Sequence, residues 1–255
     1  MSSSDAAESG FTATLRRLPS AQKSAKGAPA YSRFVNRRAG GYLAVLAYRV
    51  GATPNQVTAV SALCTFAGIT GLLLLPPSWP LGVAVSLALV LGYALDSADG
   101  QLARLRGTSS VSGEWLDHVI DSAKIATLHV AVLVSAFRFS ELPTAWLLVP
   151  IAYGAVESVM FFAMILNDQL RRVHRATTGT PAPEPGRPST LRSLLVVPTD
   201  YGLLCLVFLL LGSPVAFAAG YGVLFACNAL FLAAALPKWF TDMRSLDPAA
   251  PGRGR

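Results

Sequence analysis

Charge is scarce in this sequence. Asp, Glu, Lys and Arg together make up 14 % of its 255 residues, against about 25 % in soluble domains. Hydrophobic residues account for 53 %, and the mean hydropathy is +0.48. An ordinary soluble domain is thereby excluded, and a membrane protein is expected. Cysteine is rare too. Cys64, Cys205 and Cys227 sit inside apolar runs without CxxC or Cys/His spacing, which argues against a disulfide framework or a zinc site. Residues 1–30 lack the apolar core of a secretory signal and read as a disordered cytosolic tail, with an organellar transit peptide as the weaker alternative given Asp5 and Glu8. The formal charge of +7 does not imply a nucleic-acid partner, because the basic residues cluster between apolar segments, as in cytoplasmic loops.

What the sequence does have is a succession of apolar segments. Residues 31–50 carry Phe34, Val35, Tyr42, Leu43, Leu46 and Val50 at roughly helical spacing beside Arg33, Arg37, Arg38 and Arg49, the pattern of an amphipathic juxtamembrane helix on an anionic leaflet. Gly40-Gly41 runs against helix propensity there. Thr53, Pro54 and Gln56 form a capping-box start for a first span ending near Leu75. A second span runs from about Leu81 to Leu95, a third from Glu114 to Phe137 and a fourth from Thr144 to Leu166. The fifth would be too short if it began at Asp200, so it is expected to start near Leu191, bend at Pro198 and end near Gly212. A sixth covers about Pro214 to Leu236, with residues 237–255 as a cytosolic tail. The fold class expected is thus an all-α integral membrane protein, with six transmembrane helices in a domain over residues 51–236. The basic connections place both termini in the cytoplasm.

Between spans two and three lies the chemistry. The stretch reads Asp96-x-x-Asp99-Gly100-x-x-Ala103-Arg104, then Gly113-x-x-x-Asp117-x-x-x-Asp121. On helices, spacings of three and four put Asp96 with Asp99, and Asp117 with Asp121, on common faces. Ionisable groups at membrane depth face a cavity, pair with one another or bind ions. Four carboxylates without a matching cluster of bases call for divalent cations, and oxygen-only ligation favours magnesium, manganese or calcium. Small residues at Gly100 and Ala103 leave room for a ligand, and Arg104 can grip a phosphate.

This motif resembles the signature of the CDP-alcohol phosphotransferase family of integral membrane enzymes and matches it at every fixed position; the likeness extends over roughly Tyr31 to Leu236. It implies a nucleotide diphosphate, usually CDP-diacylglycerol, bound through its pyrophosphate on a two-metal site of Mg2+ or Mn2+. By position, Asp96, Asp99 and Asp117 would be metal ligands and Asp121 a ligand or the general base. Gly100, Ala103, Arg104 and Gly113 would shape the nucleotide and phosphate site. The implied reaction transfers a phosphatidyl group to a small soluble alcohol or alcohol phosphate and releases CMP in phospholipid biosynthesis, within a bacterial plasma membrane and by a homodimer. Inositol phosphate and glycerol phosphate are candidate acceptors, although Ser122 stands where related inositol-phosphate enzymes often carry a basic residue. Two other readings are a relative that uses a soluble CDP-alcohol on a lipid acceptor, and a divalent-cation transporter.

Further residues carry weaker expectations. His118 points about 100° away from Asp117 around the helix and is expected to make a local hydrogen bond; His129 reads as an interior histidine and His174 as solvated. Lys124 and Glu157, each about 15 Å inward from the cytoplasmic end of its helix, are expected to face one another, as an ion pair or around substrate. Arg171, Arg172 and Arg175 set topology or bind an anionic acceptor.

Overall fold

The computed structural model describes residues 29–181 and 196–247. Most of the expected N-terminal tail, Arg187, Arg192 and the expected start of the fifth span near Leu191 lie outside them. Within these residues the chain is helical throughout, without a strand. A π-helical segment, Ser32–Asn36, runs into Arg37–Arg49 (together α1). Then follow α2 (Pro54–Leu74), α3 (Trp79–Arg106) and α4 (Val111–Phe139). A 3₁₀ turn Thr144–Leu147 leads into α5 (Leu148–Thr178). The helix Tyr201–Val207 passes into the 3₁₀ segment Phe208–Gly212 (together α6), and Pro214–Arg244 is α7.

Five helices are long and apolar enough to cross a membrane: Pro54–Leu74, Trp79–Arg106, Val111–Phe139, Thr144–Thr178 and Pro214–Arg244. The chain therefore has the helices of an integral membrane protein. Tyr201–Gly212 is apolar but shorter. Pro198 falls in a 3₁₀ turn, Val197–Thr199, just ahead of it. The last helix does not stop at Leu236; it carries Pro237 inside it and continues to Arg244.

Local sequence explains the helix starts. Thr53 accepts from the Gln56 backbone N–H while the Gln56 side chain accepts from that of Thr53, so the expected capping box is formed. Ser78 and Ser110 cap α3 and α4 with the side-chain half of this arrangement, accepting from the N–H groups of Leu81 and Gly113. At the end of α3, Gly107 takes φ +65°, a left-handed cap that only glycine adopts without penalty. This cap turns the chain into the short loop before α4.

The scaffold is centred on α3, which packs against α1, α2 and α6. Lipid offers no hydrophobic gain for helix association, so close approach of small residues and interhelical hydrogen bonds carry it. Ser61 donates to the Gly92 carbonyl at 2.8 Å, and Gly40 lies so near α3 that an added Cβ would sit 2.8 Å from Ser97 Cβ. The Gly40-Gly41 pair that disfavours a helix by propensity is thus what lets α1 dock. Asp200 fastens the other end of α1. Buried at the start of α6, its carboxylate accepts from the Gly202 N–H at 3.0 Å and from the Ser32 N–H at 2.8 Å. One core cluster joins Leu72, Leu89, Leu128, Tyr153, Phe208 and Tyr221. A second joins α1, α2 and α3 through Val45, Val57, Ala98 and Leu102, directly under the motif.

Candidate active site

The motif is helical on both sides. At 28 residues α3 is about 42 Å long, so Asp96, Asp99, Gly100, Ala103 and Arg104 lie on its last three turns, and Asp117 and Asp121 on the first three of α4. Asp99 is the most buried of the four aspartates, at 6 % exposure. The Thr58 hydroxyl, from α2, donates to its Oδ2 at 2.6 Å. Asp117, Asp121 and the His118 ring offer ligand atoms within 4.8 Å of one another. The Lys124 ammonium lies 2.6 Å from Asp96 Oδ1 and 3.0 Å from Asp121 Oδ1, bridging α3 and α4.

Two cavities meet at this cluster. The larger, about 510 Å³, opens between α2, α3 and α4 and is lined by Asn55, Thr58, Ala103, Ser110, Gly113, His118 and Arg172, among others. The smaller, about 240 Å³, lies between α1 and α3 and is lined by Ser32, Asn36, Arg37, Tyr93, Asp96, Ser97 and Gln101. Asp99, Gly100, Arg104 and Asp117 line both. The Arg104 guanidinium folds back over Gly100, where an added Cβ would come within 3.3 Å of Nη1. Gln101 is 2 % exposed; its amide N–H donates to the Arg37 carbonyl and to Ser97 Oγ, while its Oε1 has no hydrogen-bond partner among the described residues.

Seven of the eight candidate residues therefore line these cavities, and Asp121 joins them through Lys124 and Asp117. The expected Lys124–Glu157 pair is not formed: Lys124 turns to Asp96, Asp121 and Ser61, because an ammonium one turn beyond Asp121 reaches two carboxylates. His118 is closer to the cluster than its helical position suggests. Its Nδ1 is 3.7 Å from Asp117 Oδ2, and its Nε2 is 3.7 Å from Glu114 Oε1. His129 is interior, with Nδ1 2.6 Å from the Tyr221 hydroxyl. Arg172 pairs with Glu114 at 2.7 Å and Asp168 at 2.8 Å on the wall of the larger cavity, and Arg171 pairs with Asp242 at 3.1 Å. Thr58 and Ser61 escaped the motif reading. Their signal is a polar stripe, Thr58, Ser61 and Thr65, at helical spacing inside an apolar span.

The donor set fits a hard divalent cation: four carboxylates, with one imidazole at the edge. That a lysine ammonium already sits between two of them shows that the cluster accommodates positive charge.

Helices of membrane-spanning length that carry a carboxylate cluster where two cavities meet are those of a polytopic membrane protein with buried charge at its helix ends. The comparisons with known proteins make the class specific. The profile of the CDP-alcohol phosphatidyltransferase family matches residues 51–233, a range that includes the whole motif, and the chain belongs to that family of phospholipid-synthesis transferases. Among solved structures, Mycobacterium tuberculosis phosphatidylinositol phosphate synthase (PgsA1) with CDP-DAG bound is similar in fold, at a TM-score of 0.50 and 20 % identity over 87 % of this chain and 98 % of that one. The same enzyme in complex with manganese and citrate aligns at a TM-score of 0.49, with 20 % identity over 84 % and 92 % of the two chains. No curated protein sequence matches significantly.

Proposed function

We propose that this protein transfers a phosphatidyl group from CDP-diacylglycerol to a hydroxyl of a small soluble alcohol or alcohol phosphate, with release of CMP. The observation that carries the reading is the shared wall of the two cavities, where Asp99, Gly100, Arg104 and Asp117 face both. A reacting phosphorus at that wall has room for a substrate on either side. Family membership supports the phosphatidyl transfer, and the fold is similar to an enzyme whose structure holds CDP-DAG. Glycerol phosphate and inositol phosphate are the candidate acceptors.

Asp96, Asp99, Asp117 and Asp121 would hold Mg2+ or Mn2+. Such ions would neutralise charge building on the phosphates in the transition state. Gly100, Ala103 and Gly113 leave space for the nucleotide, and Arg104 gives a charge-assisted contact to its phosphate. Asp121 takes the proton from the acceptor hydroxyl. The acceptor oxygen then forms a bond to the phosphatidyl phosphorus, the bridging P–O bond breaks, and CMP leaves with the electron pair.

The same reading has six spans, with Tyr201–Gly212 as part of the fifth, and both termini and the site on the cytoplasmic side of a bacterial plasma membrane. Ion pairs Arg171–Asp242 and Arg172–Glu114 support this orientation, since they gather the basic ends of α5 and α7 beside the start of α4. The family resemblance favours a homodimer. The test is CMP release by purified full-length protein from labelled CDP-diacylglycerol, with Mg2+ or Mn2+ and a panel of alcohols and alcohol phosphates. CMP release with one acceptor, abolished by EDTA and restored by either metal, is expected. Folded protein that releases no CMP with any acceptor refutes the proposal.

A further inference from the structure

Among the described residues, Lys124 is a cation set inside the carboxylate cluster, and the motif assigns it nothing. An ammonium carries three N–H donors. Here three acceptors meet it: Asp96 Oδ1 at 2.6 Å, Asp121 Oδ1 at 3.0 Å and Ser61 Oγ at 3.3 Å. Ser61 gives its own proton to the Gly92 carbonyl, so its lone pair is what faces Nζ. With the residue only 7 % exposed, this is a made-to-measure ammonium site built from three helices, α2, α3 and α4.

We infer that Lys124 is a tethered counter-ion that competes with the divalent cation for Asp96 and Asp121. The inference rests on the metal site proposed above. Four carboxylates at membrane depth are costly without positive charge, and Lys124 supplies one charge before any metal arrives. The same ammonium occupies an oxygen on each of the two aspartates and repels a second cation at close range. A divalent ion drawn to Asp96 or Asp121 must therefore displace Lys124 or bind against its field. The other two aspartates are placed differently: Asp99 is held by Thr58, and both it and Asp117 line the two cavities. Metal is thus expected to load first on the Asp99–Asp117 side.

A merely structural ion pair and a competing counter-ion differ in sign. Loss of a structural pair weakens the fold and leaves metal binding unchanged or weaker. Loss of a competitor weakens the metal-free fold yet tightens metal binding. The experiment titrates full-length protein in detergent with Mn2+, reading free Mn2+ by electron paramagnetic resonance, and records thermal unfolding with and without Mn2+. Lys124→Gln is expected to unfold at lower temperature without metal, to bind Mn2+ about tenfold or more tightly, and to gain more from Mn2+ in unfolding temperature than wild type does. Lys124→Arg keeps the charge and should stay within a few-fold of wild type. Ser61→Ala removes one of the three acceptors without touching a carboxylate; it should shift Mn2+ affinity in the same direction by less, and it decides the matter if Lys124→Gln does not fold. Mn2+ binding by Lys124→Gln but not by wild type would be the strongest support. Wild-type or weaker affinity in Lys124→Gln, or in Ser61→Ala when that variant decides, overturns the inference while leaving the metal site standing. Absence of Mn2+ binding from every variant overturns both.

Discussion

Thr58→Val isolates a single hydrogen bond to the site. The Thr58 hydroxyl has one proton and two acceptors in range, Asp99 Oδ2 at 2.6 Å and the Pro54 carbonyl at 3.1 Å. The shorter, charge-assisted contact takes it. Oδ2 of Asp99 therefore accepts from Thr58. Asp99 is nearly sealed from water, at 6 % exposure, whereas the side chains of Asp96 and Asp121 keep 22 % and 26 %. Little solvent therefore reaches the carboxylate to replace the lost donor. A hydrogen bond to a charged group is worth about 1.5–3 kcal/mol, which corresponds to about tenfold to a hundredfold in an equilibrium or rate constant. Valine matches threonine in shape, so the volume filled at position 58 is kept. The expected result is a loss of that size in kcat/KM for CMP release, with a parallel weakening of Mn2+ binding. Thr58→Ser, which retains the hydroxyl, should remain near wild type. If Thr58→Val matches wild type in both measurements, Thr58 does not orient Asp99 and the assignment of Asp99 to the site loses its structural support.

Asp121→Asn should lower kcat for CMP release by about 10²–10⁴-fold, the range for a general base, while the affinity for CDP-diacylglycerol stays within a few-fold; unchanged turnover would move the proton-accepting role elsewhere. Gly40→Val puts a Cβ 2.8 Å from Ser97 Cβ and 3.0 Å from the Ala94 carbonyl, so overpacking of about 1–3 kcal/mol should lower the thermal unfolding temperature and loosen α1; equal stability would mean that α1 docks by another face. Asp200→Ala strands the buried N–H of Gly202, at about 1–3 kcal/mol, and frees the half-buried N–H of Ser32; the check is faster amide exchange at the start of α1 with the middle of α3 unaffected.

How much of this could be read in the sequence depends on the range over which each contact acts. Thr53 and Gln56 could be paired on paper because a capping box closes over three residues, and the carboxylate pairs because one helical turn brings each together. Those local rules located the five membrane-length helices and paired the aspartates, while the resemblance supplied the other candidate residues. The contacts that organise the site cross between helices, and there spacing is silent. Lys124 is 28 positions from Asp96 and 63 from Ser61. Equal depth along two helices suggested Glu157 as its partner. Depth without azimuth does not choose between faces of a helix, and Lys124, one turn beyond Asp121, shares that residue's face. The Gly40-Gly41 pair counted against the helix for a related reason. Propensity describes an isolated helix, whereas α1 is held by a close approach to α3 and by Asp200, 168 positions from Ser32. Polar residues inside apolar spans were the legible trace of these distant contacts. Thr58, Ser61 and Thr65 form a stripe that lipid would not reward, and each of the first two turns out to hold a group of the site: Thr58 the carboxylate of Asp99, Ser61 the ammonium of Lys124. A small polar residue facing inward from a span beside an acidic motif is thus itself a pointer to the site, because at that depth its hydroxyl is kept where a neighbouring helix brings it a partner, here a carboxylate or an ammonium.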